Sequence, residues 1–178
     1  MRESAVRSWL KTHKRRVPVR IQLADHQILE GQLYSDLRKS DGTPASIADR
    51  LNDRVEPFLP FAEGDTHHLL NKARIVFSEL QEDALETPAA EGMRELCIHV
   101  VLLTGADFTG TTYAYLPPAR SRVLDHLNRL AQDFIPLWTH GHVVLINVAY
   151  LVSVTETLHT EREPHCSRTD ASSFDRGW

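Results

Sequence analysis

Apolar and polar positions alternate over Val17, Val19, Ile21 and Leu23, with Pro18, Arg20, Gln22 and Ala24 between them. Period two is the signature of a strand buried on one face. A second strand is expected at 28–35, after a short turn at 24–27, and the stretch DLRKSDGTP at 36–44 is rich in turn formers. Ile47, Ala48 and Leu51 then share one face of a short helix ending near Asn52. Strands at 56–62, 66–70 and 73–79 follow, the last two joined by a tight turn at Asn71. Farther on the order returns. Leu96, Ile98, Val100 and Leu102 alternate, a strand is expected at 108–115, and Pro117 and Pro118 precede a helix carrying Val123, Leu124 and Leu127. Three more strands complete this second set.

The two sets share a register. Asp49, Leu51 and Asn52 recur as Asp125, Leu127 and Asn128, and Phe58 and Pro60 as Phe134 and Pro136. Leu69, Asn71, Ala73 and Val76 recur as Leu145, Asn147, Ala149 and Val152. The offset is 76 residues throughout, and nine of the 35 positions from 45 to 79 are identical. Upstream, GQLY at 31–34 answers GTTY at 110–113 with an offset of 79, so three extra residues lie in the first copy's loop. One register held this long reads as a duplication. The expected fold is mainly β with short helices: two tandem five-stranded units (β-β-α-β-β-β), copy one at 17–80 and copy two at 95–156. A unit of about 60 residues is marginal alone, because it buries only ~60% of its unfolded surface. The copies are therefore expected to pack together, with pseudo-twofold symmetry. Copy two places His99, Val101 and Leu103 on the second face of its first strand, and Val143–Val144–Leu145–Ile146 where copy one has His67–His68–Leu69–Leu70. Strands apolar on both faces are expected to be covered from both sides, by copy one or by a partner chain.

The endings LLNKARIVFSE and VLINVAYLVSVTE, each a polar turn between apolar strands, resemble the last two strands of Sm-like chains, and so an SH3-like barrel. The resemblance is architectural, and the helix sits between the second and third strands instead of at the N-terminal end. PPARSRVLDHLN with the later FIPL and LIN is similar to a family of short bacterial proteins of unknown function that carry an R-L-S-D-F-L-N-type motif. Copy two matches it at Arg120, Leu124, Asp125, Leu127 and Asn128; copy one keeps Asp49, Leu51 and Asn52. That resemblance implies a fold and no activity.

Apolar residues at 42% and charged residues at 25% are ordinary for a soluble globular chain. They exclude a largely disordered chain, a collagen and a coiled coil. Cys97 and Cys166 are too few for a disulfide scaffold, and no apolar run approaches the ~18 residues that would cross a bilayer. The N-terminus lacks the apolar stretch of a secretory signal, so a cytoplasmic location is expected. Charge is uneven: residues 1–20 carry +6 and the remaining residues −10. Ala5, Val6, Trp9 and Leu10 fall opposite Arg7, Lys11 and Lys14 on a helical projection. A basic amphipathic helix is expected over 1–16, docked on the acidic body, with a membrane surface or nucleic acid as its alternative targets. Residues 81–94 read as a linker and 157–178 as a disordered polar tail.

Candidate chemistry is thin. The sequence holds no H-E-x-x-H, C-x-x-C, G-x-S-x-G or G-x-G-x-x-G motif. Gly105 to Thr112 has the glycine spacing of a phosphate loop, with Thr111 where the lysine belongs. His140, His142, His67 and His68 could serve as metal ligands, joined by His159, His165 and Cys166 of the tail. Gly64 and Thr66 stand opposite His140 and His142 in the other copy, which favours surface turns. Asp49 and Asp125 recur as an acid/base pair would, but a place beside a helix end favours a structural role. Asn71 and Asn147 suit tight turns. No catalytic, cofactor-binding or metal-binding residue is assigned on these grounds, and no cofactor. The expected function is a non-enzymatic interaction or scaffold module that uses a groove or strand edges, with a protein partner or self-association. The alternatives are nucleic-acid binding through the basic arm and an enzyme with a site between the copies.

Overall fold

The computed structural model describes residues 14–36, 42, 45–81, 92–116 and 123–157. The chain opens with a long hairpin. β1 (Lys14–Leu23) turns at His26, whose φ is +67°, into β2 (Ile28–Asp36). Arg15 and Arg16, expected in the N-terminal helix, pair with Ser35 and Tyr34 as part of β1. The cause is β2, which supplies backbone partners as far as Lys14. Residues 1–13, Trp9 among them, lie outside the described residues.

α1 (Ile47–Asn52) buries Ile47 and Leu51 as the spacing requires. Its start is fixed by a capping box: the Ser46 hydroxyl accepts from the Asp49 N–H at 3.1 Å, and the Asp49 carboxylate accepts from the Ser46 N–H at 3.0 Å. β3 (Phe58–Glu63) and β4 (Thr66–Asn71) form a hairpin, and a single 3-10 turn, Lys72–Arg74, leads into β5 (Ile75–Gln81). The order repeats in β6 (Met93–Leu102), β7 (Asp107–Tyr115), α2 (Val123–Leu127), β8 (Phe134–Trp138), β9 (His142–Asn147), the turn Val148–Tyr150 and β10 (Leu151–Glu156). The expected linker is trimmed at both ends, because Gln81 pairs with His142, and Met93 and Arg94 pair in β6. At the far end the Thr157 N–H still donates to the Cys97 carbonyl at 2.9 Å, which takes Thr157 from the expected tail.

Among the described residues ten strands form one antiparallel sheet in the order β10-β6-β7-β8-β9-β5-β1-β2-β3-β4. Each half of that order lists its strands in the same sequence: fifth, first, second, third, fourth. The halves meet where β5 pairs with β9, the fifth strand of one against the fourth of the other. A twofold relation would pair β10 with β4 as well. Instead these two strands stand at opposite ends of the sheet, so the join is head to tail.

Two glycines at equivalent places let β2 and β7 cross close to the next strand. A Cβ on Gly31 would lie 2.1 Å from the Ala62 carbonyl oxygen, and one on Gly110 2.4 Å from that of Trp138. No side chain fits there.

Two apolar cores form among the described residues, one in each half, and each takes residues from the other half. The first gathers Val17, Val19, Ile21, Leu33, Leu51 and Phe61 of the first half with Phe134, Trp138, Val143 and Leu145 of the second. The second core takes Val76 and Phe77 from β5. Along β9 the residues alternate between them, Val143 and Leu145 into the first core, Val144 and Ile146 into the second. That alternation explains why β9 is apolar from Val143 to Ile146: both its faces are interior there. The same expectation fails for β6. Val101 is half-buried and Leu103 is 71% exposed, because Leu103 falls beyond the strand's end, at the turn toward β7. Leu124 is also exposed; the single turn of α2 buries Val123.

Candidate functional site

The junction between the halves includes a strand ladder, two asparagines that reach across it and an arginine–aspartate pair. The β5–β9 ladder sets Phe77 opposite Ile146, Ser78 opposite Leu145, Glu79 opposite Val144 and Leu80 opposite Val143. Asn52, at the end of α1, reaches across to the start of β8. Its Oδ1 accepts from the Asp133 and Phe134 N–H groups at 2.9 and 2.8 Å, and its Nδ2 donates to the Phe134 carbonyl at 3.0 Å. Asn147 caps its own 3-10 turn by accepting from the Ala149 N–H, and its Nδ2 donates to the Ile75 carbonyl of the other half at 2.8 Å. The Arg54 guanidinium grips the Asp133 carboxylate with two bonds, Nε to Oδ2 at 3.0 Å and Nη2 to Oδ1 at 2.8 Å.

Glu79 lies at the centre of this junction. One carboxylate oxygen is 3.0 Å from His142 Nε2, and the other accepts from Arg20 Nη1 at 3.0 Å. The bond with His142, helped by Arg20, holds the Glu79 carboxyl below its usual range against the opposing effect of burial.

The two ends of the sheet carry the same kinds of residue without the partners. β4 pairs with β3 alone and β10 with β6 alone among the described residues. Leu69 in β4 is 74% exposed, Val152 in β10 is 61% exposed and Phe58 in β3 is 50% exposed. Their counterparts at the junction, Leu145, Val76 and Phe134, are buried to within 1%.

A polar concavity of about 440 Å³ lies beside β4, lined in part by Arg16, Gln32, Tyr34, Asp65 and His67. The Arg16 guanidinium stands 5.6 Å from the Tyr34 ring centre, within reach of a cation–π contact.

The candidate residues of the sequence scatter over this frame. Asp49 holds the capping box of α1, and Asp125 lies half-buried in the first turn of α2. His142 pairs with Glu79, His68 with Glu63 at 3.2 Å, and His140 is exposed at the β8–β9 turn. Among the described residues no three His, Cys, Asp or Glu side chains gather as metal ligands do. His159, His165 and Cys166 lie outside the described residues. The 105–112 stretch is a hairpin. Gly105 takes φ +83° at its turn and Gly110 sits inside β7, so no helix N-terminus follows to receive a phosphate. Asn71 and Asn147 do cap their turns, Asn71 accepting from the Ala73 N–H at 3.0 Å. What sequence reasoning missed is the reach of Asn52 and Asn147 across the junction. Their recurrence was visible, but the atoms they bond are backbone atoms, which carry no residue signature.

No helix among the described residues is long and apolar enough to cross a membrane. No family model matches the chain, and no curated protein or solved structure does either.

Proposed function

We propose that the chain is a tandem pair of small SH3-like units that works as a non-enzymatic interaction module through its two open strand edges. The observation that supports this reading is the exposure of Leu69 and Val152 on β4 and β10. Edge strands are ordinarily blunted by charge, proline or cover, because unpaired N–H and C=O groups recruit other strands. An edge that shows a large apolar residue beside its free backbone groups is suited to receive one. The commitment of Asp49 to its helix cap supports the same reading over an enzyme with a site between the halves. The test is to place a photo-crosslinking amino acid at Leu69, at Val152 and, as a control, at the exposed Val55 in cells that make the protein. Adducts are expected at the two edges and not at the control. Silence at both edges would overturn the proposal.

One observation favours a second reading, nucleic-acid binding. Arg16 over Tyr34, with Arg15 exposed beside it, joins a cation and an aromatic ring at the mouth of the polar concavity. Asp65 in the same lining opposes a phosphate backbone. Single-stranded RNA titrated at several salt concentrations tests it. Binding that weakens steeply with salt and is lost in Arg16→Ala supports this reading; salt-independent or absent binding removes it.

A further inference from the structure

The junction inside the chain has an unused duplicate at the ends of the sheet. β5 and α1 present Val76, the Ile75 carbonyl and Asn52 to the second half; the 76-residue offset carries these to Val152, the Leu151 carbonyl and Asn128. β9 and the start of β8 present Leu145, Asn147 and Phe134 to the first half; the offset carries these to Leu69, Asn71 and Phe58. Val76, Leu145 and Phe134 enter the core of the opposite half, whereas Val152, Leu69 and Phe58 face outward. Asn147 donates across the junction at 2.8 Å, and Asn52 makes three bonds across it. Asn71 caps its turn and Asn128 is exposed. Among the described residues the strand edges and asparagines that join the halves are thus present twice and engaged once, whereas the Arg54–Asp133 and Glu79–His142 pairs have Leu130, Pro57, Thr155 and Thr66 in the duplicate places.

We propose that a second copy of the chain occupies each open edge, β10 of one copy pairing antiparallel with β4 of the next. This inference rests on the edge reading above and names its partner. The junction register sets the expected pairing. Phe77 opposite Ile146 becomes Ser153 opposite Leu70, and Ser78 opposite Leu145 becomes Val154 opposite Leu69. Leu80 opposite Val143 becomes Glu156 opposite His67, an acid facing a histidine across the new seam. Leu69 then enters the second core of the preceding copy, and Val152 the first core of the following one. Such a contact is heterologous and repeats, so it closes into a ring or runs on as a filament. The seam between chains is weaker than the one within. His67 and His68 replace Val143 and Val144, Pro57 has no N–H to offer Asn128, and Leu130 replaces Arg54. Association is therefore reversible and follows concentration.

Sedimentation velocity of the full chain over a wide concentration range reads the mass directly, and a rise well above one chain mass is expected. Leu69→Lys and Val152→Lys each spoil one edge at an exposed position, and thermal melts confirm that both variants fold; Leu69→Asp and Val152→Asp stand in for either that does not. Head-to-tail pairing requires each single variant to be monomeric by itself, because its one good edge needs the other kind. An equimolar mixture must give a species of twice the chain mass and nothing larger, since the Leu69→Lys copy keeps β10 and the Val152→Lys copy keeps β4. Wild-type chain that stays monomeric at every concentration would overturn the proposal, as would single variants that still associate or a mixture that does not. Failure here with foreign adducts at Leu69 or Val152 removes the second copy and leaves the edge reading in place. Failure of both removes the edge reading.

Discussion

Asn52 and Asn128 are one residue type at corresponding places in the two halves, yet their surroundings differ. From a half-buried position Asn52 satisfies two backbone donors and one acceptor at the start of β8. Asn52→Ala is expected to cost about 2 kcal/mol or more, since it deletes three bonds and leaves polar groups unpaired. Asn128 is exposed, and Asn128→Ala in dilute solution is expected to stay within about 0.5 kcal/mol. Urea unfolding of the pair measures the contrast. Gly31 and Gly110 make the opposite comparison, because both are constrained alike. A methyl at either position meets a backbone carbonyl oxygen, which cannot swing aside as a side chain would. Gly31→Ala and Gly110→Ala are each expected to destabilise by about 2 kcal/mol through overpacking and shifted backbone. Equal urea midpoints for wild type and either variant would contradict this.

Strands at the junction owe their composition to position. β5 lies between β1 and β9 and sends Ile75 and Leu80 into one core, Val76 and Phe77 into the other. Its one acid, Glu79, is tolerated there because Arg20 and His142 flank it. A carboxyl held below its unfolded range stabilises the fold above the usual glutamate pKa, and that contribution is lost as pH falls through the folded value. Glu79→Gln is therefore expected to be less stable than wild type at neutral pH. The difference should shrink on acidification below the usual glutamate range, as read from urea melts across a pH series. A constant difference at all pH values would show that the charge of Glu79 contributes nothing. The helices follow the opposite logic. α1 and α2 are too short to hold in water by themselves. α1 persists through its capping box and the burial of Ile47 and Leu51.

For the whole molecule, shared cores imply shared stability. Removal of the second half would strip Phe134, Trp138, Val143 and Leu145 from the first core, and removal of the first would take Val76 and Phe77 from the second. The chain is expected to melt in one transition, with calorimetric and van't Hoff enthalpies equal. Residues 92–157 made alone would expose Phe134, Val143 and Leu145 beside the free edge of β9, and are expected to aggregate. A soluble fragment with a cooperative melt would show that the halves are independent.

Local order was legible in the residues themselves. Alternation located β1 and β6, spacing located α1, and the common offset showed that the order of elements recurs, because backbone periodicity and turn chemistry act over a few residues. The doubly apolar run of β9 also announced a strand covered on both faces. The identity of the cover was not legible. Whether Val143 and Leu145 meet the first half or a separate chain depends on which edges pair, and edge pairing is decided by backbone groups that every residue shares. Val101 and Leu103 resemble Val143 in composition and end in different surroundings, Leu103 because β6 stops at Leu102 and leaves it in the turn. The head-to-tail join, the reach of Asn52 and the exposure of Leu69 and Val152 exist only once the strands have a place in one sheet. Composition determines which surfaces avoid water; only the tertiary arrangement determines which of them find one another.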